Sequence, residues 1–211
     1  FFDMDRTLVR CNSGTMWIRW LRERGEISRY RMLRALGWIV QYKLAILDME
    51  SVTAKVIAEM KGDDEGEMRA KCLEFTERQV FGHVTEKARG ALERHRQEGH
   101  VVAILSTSTP YVTEPLAGYL GIEHVICTRL GVAAGKCDGT QIRPARYGAG
   151  KVHWAEEFAK NHDVDLAQSY FYTDSYSDLP MLKRVGVARV VNPDTRLLRH
   201  ALRVGWPVED W

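Results

Sequence analysis

Apolar and polar residues alternate in a helix–strand order from about residue 85 to the end of the chain. An unbroken apolar run at 101–105 is typical of a strand that is covered on both faces. Thr109-Pro110 then has the order of an N-cap followed by the first residue of a helix. Further strands are predicted at 124–127, 170–172 and 187–191, with a glycine-containing hairpin at 130–142. This alternation predicts an α/β fold with an open, mostly parallel sheet.

The pattern between residues 12 and 82 is different, because it has helical periodicity and no convincing strand. Apolar stripes at 16–21 and 32–47, a helix start at Ser51 and an acidic break at 62–66 mark the predicted helices. We therefore expect a Rossmann-like core, formed by residues 1–11 and 83–211, with an inserted helical cap at residues 12–82.

Polar residues that can carry chemistry follow the predicted strands. Asp3 and Asp5 come after the first strand, at the sheet edge where open α/β folds bind ligands. An isolated Asp-x-Asp pair more often caps a turn. Other polar residues fall near the same predicted edge: Ser106 after the strand at 101–105, Asp174 after the strand at 170–173, Asp178 four residues later, and Lys151 after the glycine-rich segment 147–150.

Carboxylates that converge in one crevice repel each other unless a cation lies among them. Magnesium fits this oxygen-rich set best, because it typically takes one or two carboxylates and leaves its other positions to water and phosphate. Lys151 and the Ser106 hydroxyl would then donate hydrogen bonds to phosphoryl oxygens. Each residue alone has an ordinary structural explanation, but their common position favours chemistry on a phosphate group.

In this order, the residues resemble the four motifs of the haloacid dehalogenase superfamily: Asp3-x-Asp5-x-Thr7, Ser106, Lys151 and Asp174-x-x-x-Asp178. The helical insertion directly after the first motif resembles the phosphoserine-phosphatase-like branch, subfamily IB. The tail from Val191 to Pro207 resembles that branch as well. The resemblance covers nearly the whole chain and implies a phosphatase.

The resemblance also implies roles for individual residues. Asp3 would be the nucleophile, and Asp5 would protonate the leaving oxygen and then activate water. Ser106 and Lys151 would stabilise the transferring phosphoryl group. The second aspartate argues against a true dehalogenase, in which it is normally missing.

The same resemblance implies a Mg²⁺ site and a substrate pocket. Mg²⁺ would be held by Asp3, the Asp5 backbone carbonyl and Asp174, with Asp178 in support. Thr7 would orient the first loop. The expected substrate-binding residues are Thr7, Asn12, Ser106, Thr107 and Lys151.

Three positions depart from the phosphoserine phosphatase pattern. Asn12 stands where that branch has an acidic residue, and Thr107-Ser108 replaces its Gly-Gly. No arginine lies near residues 53–55, where the branch has one in its cap. We therefore expect hydrolysis of a small phosphorylated metabolite other than phosphoserine. Phosphoryl transfer to an alcohol remains an alternative, as does a phospho-ligand or lipid-associated regulatory module with weak turnover.

Composition narrows the partners. A net charge of +2 in 211 residues gives no basic field, so we expect no nucleic-acid partner. The cap's tryptophans and arginines could face lipid; such residues more often form core and solvated surface. We expect no membrane contact and a monomer or homodimer. The seven histidines show no HExxH or paired spacing, which argues against a zinc site.

The four cysteines are scattered without a CxxC pair. This predicts free thiols in a reducing compartment, with the cytoplasm as the expected location. The chain opens in mid-strand at Phe1 without an initiator Met, so we expect the natural chain to begin several residues earlier.

Overall fold

The computed structural model describes residues 1–28, 30, 33, 37 and 49–211. Its strands are β1 (Ala103–Leu105), β2 (His124–Ile126), β3 (Leu130–Ala133), β4 (Lys136–Gln141), β5 (Tyr170–Thr173), β6 (Val187–Val191) and β7 (Val208–Glu209). Its described α-helices are α1 (Ser13–Glu23), α2 (Met49–Glu59), α3 (Glu65–Phe75), α4 (Glu86–Gln97), α5 (Pro110–Leu120), α6 (Ala149–Asn161), α7 (Leu179–Arg184) and α8 (Thr195–Val204).

A parallel sheet forms the centre of the molecule. β1 pairs with β2, and β6 lies between β5 and β7, all in parallel. Phe2 joins the two halves, because it bridges Ile104 on one side and Tyr172 on the other. The order is therefore β2-β1-Phe2-β5-β6-β7. Two apolar clusters contain residues of these strands, as expected for a sheet covered on both faces. The predicted α/β class is confirmed.

The elements follow the sequence pattern with a few differences. β3 and β4 form the predicted antiparallel hairpin, and Gly121 ends α5 in a left-handed conformation. β1 is shorter than its apolar run, because Val101 and Val102 precede the paired residues and Val101 is 48% exposed. The short strand β7 is not predicted by the sequence pattern.

Helices α1, α2 and α3 lie between the first strand segment and α4. The apolar stripe of α1 is buried against the end of α3: the ring centroids of Trp17 and Trp20 lie 5.1 and 5.6 Å from that of Phe75. α3 continues into a π-helical turn at Thr76–Val80. Most of the stripe predicted at 32–47 lies outside the described residues.

The chain leaves and re-enters the sheet region along two adjacent segments. Val9 and Val84 form an antiparallel bridge, Arg10 N donates to His83 O at 3.0 Å, and Thr85 N donates to Leu8 O at 3.4 Å. All four cysteines are free thiols, as predicted. Within the described residues, no helix is both long and apolar enough to cross a membrane.

Candidate active site

Strand register brings three of the predicted site residues to one edge of the sheet. Asp3 N donates to Tyr172 O at 2.9 Å, and Leu105 N donates to Phe2 O at 2.8 Å, so the central segment is held between β1 and β5. Asp3, Ser106 and Asp174 therefore follow three neighbouring parallel strands. All three side chains are buried. This is the carboxyl end of the sheet, where ligands bind in folds of this kind.

Lys151 reaches the same edge from the first turns of α6. The loop before it passes so close to itself that a Cβ on Gly150 would lie 1.7 Å from Ala145 O, so only glycine fits there. Lys151 Nζ donates to Asp3 Oδ1 and to Asp178 Oδ2, each at 2.7 Å. Burial disfavours the ammonium ion, but Asp178 and Asp3 outweigh it and hold the pKa of Lys151 well above its usual value.

The loop after β5 is fixed by a second set of contacts. Asp178 Oδ2 also accepts from Thr173 Oγ1 at 2.7 Å. Asp194 N donates to Asp174 O at 2.8 Å, while Asp194 Oδ2 accepts from Tyr176 N at 2.7 Å. The carboxylates of Asp174 and Asp178 are thus presented by a loop that is held at both ends.

The electrostatics of this edge fit a hard divalent cation. Burial raises the pKa of Asp174 to about 8, with further contributions from Asp3 and Asp178. Burial also raises the pKa of Asp3 to about 7, although Lys151 opposes the shift. One lysine therefore leaves negative charge uncompensated. Among the described residues, no three carboxylates here offer oxygens within 4.8 Å of one another, which suits Mg²⁺ because it takes only one or two carboxylates.

Asp5 is held by the beginning of α1. Ser13 N donates to its Oδ1 at 2.9 Å and Ser13 Oγ to its Oδ2 at 3.0 Å. Burial raises the pKa of Asp5, and these two hydrogen bonds oppose the shift. A carboxyl group with a raised pKa at the edge of a buried site is suited to proton transfer.

The remaining predicted residues are engaged in local structure. Asn12 Oδ1 accepts from Thr15 N at 2.9 Å and caps α1, while its amide reaches Asp5 Oδ2 at 3.5 Å. Thr107 Oγ1 donates to Arg146 O at 2.9 Å. The Thr7 hydroxyl is buried and has no partner among the described residues. Substrate contacts for these three remain predictions.

Sequence reasoning missed three supporting residues: Ser13, Thr173 and Asp194. Each acts on an aspartate through a hydrogen bond described above. The one signal available for Thr173 is its position directly before Asp174. Ser13 and Asp194 have ordinary positions at the start of helices, which reveal no contact with a distant loop.

Comparison with known proteins now assigns the family. Residues 1–183 match the haloacid dehalogenase-like hydrolase model. The chain belongs to this family.

Three relatives show the range of this hydrolase family around the chain. It is 31% identical to the "Inhibition of morphological differentiation protein" of Streptomyces azureus, covering 100% of this chain and 77% of the relative. It is 30% identical to a phosphoserine phosphatase of Mycobacterium tuberculosis, covering 100% and 70%. It is 25% identical to a histidinol-phosphatase of Neisseria meningitidis serogroup C, covering 98% and 96%.

A crystal structure from Bordetella pertussis Tohama I has the same fold. Its TM-score is 0.90 at 26% identity, over 99% of this hydrolase and 96% of that chain. The predicted superfamily and the predicted enzyme class, a phosphatase, are therefore confirmed. Magnesium, the intermediate and the substrate belong to the proposal that follows.

Proposed function

We propose that the protein is a Mg²⁺-dependent phosphomonoester hydrolase that forms an aspartyl-phosphate on Asp3. The observation that carries the proposal is the buried Lys151 ammonium, placed 2.7 Å from both Asp3 and Asp178. It occupies Asp3 Oδ1, and no described residue donates a hydrogen bond to Asp3 Oδ2. One oxygen is thus fixed, and the other is available for attack on phosphorus.

The reaction would run in two displacements. In the first, an Asp3 oxygen forms a bond to phosphorus while the ester P–O bond breaks, and Asp5 gives its proton to the leaving oxygen. In the second, Asp5 takes a proton from water as that water attacks phosphorus, which releases phosphate and restores Asp3. Ser106 and Lys151 would bind the phosphoryl oxygens throughout.

The residues at this edge also fit the expected metal. Mg²⁺ held by Asp3, the Asp5 backbone carbonyl and Asp174 would supply positive charge against the phosphoryl oxygens. Asp178 would act from behind, since its contacts are with Lys151 and Thr173. Its part is to keep the lysine in place.

We further propose that residues 12–82 form a cap over a core of residues 1–11 and 83–211. The paired segments at Val9 and Val84 support a boundary here, because the two connections run side by side. Since Ser13 begins the first cap helix and binds Asp5, the position of the cap would also set the position of the acid.

For the substrate, we propose a small phosphate ester other than phosphoserine. Relatives named for phosphoserine and for histidinol phosphate are both similar to this chain, so likeness alone does not choose between them. Asn12 is uncharged and already caps α1, which leaves it poorly suited to neutralise a substrate ammonium. The cytoplasmic location stays a prediction from the free thiols.

A turnover and trapping experiment tests the proposal. p-Nitrophenyl phosphate should be hydrolysed with Mg²⁺ and not after EDTA treatment, and activity should return with Mg²⁺. Quenched enzyme reduced with borohydride should carry homoserine at position 3, because borohydride reduces an acyl phosphate. Turnover that survives EDTA would contradict the metal, and unmodified Asp3 would contradict the intermediate. Added glycerol reports the rival reaction, since a transferase would form glycerol phosphate.

A further inference from the structure

A second group of ligand-bearing side chains lies at the opposite, amino end of the sheet. It is built by the turn that ends α4. Gly99, at φ 72°, follows the cap residue Glu98 in a left-handed conformation. Gly99 N donates to Arg96 O and His100 N donates to His95 O, each at 2.9 Å. This is a Schellman turn, and it folds His100 back beside His95.

The turn brings three donors together. His95 Nδ1 and His100 Nδ1 lie 2.8 Å apart, and His100 Nδ1 lies 3.4 Å from Glu98 Oε2. All three ligand atoms lie within 4.8 Å of one another, and among the described residues no other trio of His, Cys, Asp or Glu does so. With bonds of about 2.0–2.1 Å, two ligands of a tetrahedral zinc ion are roughly 3.3 Å apart. The observed spacing is close to that value, and His100 is exposed enough to adjust.

His95 has the surroundings of a preorganised ligand. Its ring packs edge-on against Phe2 at 5.8 Å and Tyr170 at 4.9 Å. Its Nε2 lies 2.9 Å from the Tyr172 hydroxyl, which also accepts from Arg94. A metal-binding histidine typically uses its other ring nitrogen in this way, which fixes the ring and its tautomer.

We propose that His95, Glu98 and His100 form a second metal site, which takes Zn²⁺ or a similar transition-metal ion and is separate from the phosphatase site. Two imidazoles and one carboxylate are a ligand set that suits zinc and leaves a fourth position for water. Burial lowers the pKa of His95 to about 4, so its ring is neutral and able to bind at physiological pH. The ion would fasten the end of α4 to Tyr172 in the middle of the sheet.

Metal titration of untagged protein tests this site. Saturating Mg²⁺ is present to fill the phosphatase site, Co²⁺ binding is followed by its visible absorption, and Zn²⁺ is then added as competitor. The wild type should bind one equivalent of Co²⁺ that Zn²⁺ displaces. His100→Ala should weaken this binding by at least about tenfold, the smaller cost seen for disturbing even an outer-sphere partner. Mg²⁺-dependent turnover should be unchanged in that variant.

Two further variants keep the result decisive. Glu98→Gln is nearly isosteric and exposed, so it should weaken binding without affecting folding. His153→Ala is the matched control, because His153 is an exposed helical histidine with a single glutamate, Glu157, at 3.9 Å; it should bind Co²⁺ like the wild type. Equal Co²⁺ affinity in wild type, His100→Ala and Glu98→Gln would overturn the proposal. So would equal weakening by His153→Ala.

Discussion

The two ends of the parallel sheet treat ionisable groups in opposite ways. At the carboxyl end, burial raises the pKa of Asp3 to about 7; at the amino end, it lowers the pKa of His95 to about 4. Burial favours the neutral form in both cases. The carboxyl end answers with a charged lysine between two carboxylates. The amino end instead surrounds its imidazole with Tyr172 and Arg94. One end is therefore suited to a hard cation with oxygen ligands, and the other to a softer ion with nitrogen ligands.

The two groups also differ in how the chain assembles them. Asp3, Lys151 and Asp178 come from widely separated segments, and the loop around Asp174 depends on Asp194 as well. His95, Glu98 and His100 lie within six residues and need only one helix-ending turn. Damage to the fold should thus disturb the carboxyl end first. Four predictions test this contrast, from the largest expected effect to the smallest.

Asp3→Asn should remove at least about 10³-fold of the turnover of p-nitrophenyl phosphate, as is typical when a nucleophile is lost. The amide keeps the shape of the side chain and removes a buried charge, so thermal unfolding should shift little. Co²⁺ binding at the amino end should be unchanged. Steady-state rates measured beside a melting curve check this. Turnover within tenfold of the wild type would rule out Asp3 as the nucleophile.

Phosphoserine should be a poor substrate. Its ammonium needs an anion and its carboxylate needs a fork of donors, whereas the chain offers Asn12 and, near residues 53–55, only Lys55. A buried charge without a partner costs about 2–5 kcal/mol, or roughly 30- to 4000-fold in kcat/KM. The measurement is kcat/KM for phosphoserine within a panel of phosphate esters. A first rank for phosphoserine would mean that another cap residue supplies the anion.

Mg²⁺ should bind more tightly as the pH rises. Asp174 and Asp3 have raised pKa values of about 8 and 7 in the folded protein. The metal-free fold therefore binds more protons than the unfolded chain between about pH 4 and 8, and it loses stability as the pH rises through those values. Mg²⁺ must displace these protons, so its Kd should fall by about tenfold or more from pH 6 to pH 8.

Calorimetric titration at several pH values, with the release of protons measured in buffers of different ionisation enthalpy, checks this dependence. Mg²⁺ should also raise the melting temperature more at pH 8 than at pH 6. The Glu98→Gln variant is the control at the other end of the sheet and should show the same pH dependence. A Kd that is flat over this range would show that neither carboxyl group is protonated in the free enzyme.

Ser13→Ala should lower turnover roughly tenfold, in line with the loss of one hydrogen bond to a charged group. Because the Ser13 bonds lower the pKa of Asp5, their loss should move the alkaline limb of the kcat/KM profile to higher pH. Ser13→Thr keeps the hydroxyl and is the matched control. A uniform loss of rate with no shift of the limb would indicate that Ser13 supports the helix rather than the acid.

The sequence predicts the long-range arrangement better than the local detail. The order of apolar strands and the residues that follow them place Asp3, Ser106 and Asp174 at one edge, because parallel strands end together. The length of β1 is not predictable in this way, since Val101 is apolar yet lies beyond its pairing partners. The contact of Ser13 with Asp5 depends on how α1 approaches the loop. The histidine pair depends on a Schellman turn, and its spacing matches no common metal motif.

Asp194 joins two parts of the molecule that are usually considered separately. One of its oxygens caps α8 through Arg196 N and Leu197 N, and the other accepts from Tyr176 N in the loop that carries Asp174. Any event that orders this loop should also slow the fraying of α8. Amide hydrogen exchange at Tyr176 and Leu197 should therefore rise and fall together, so that the backbone of an outer helix reports occupancy of the phosphatase site without any label placed in it.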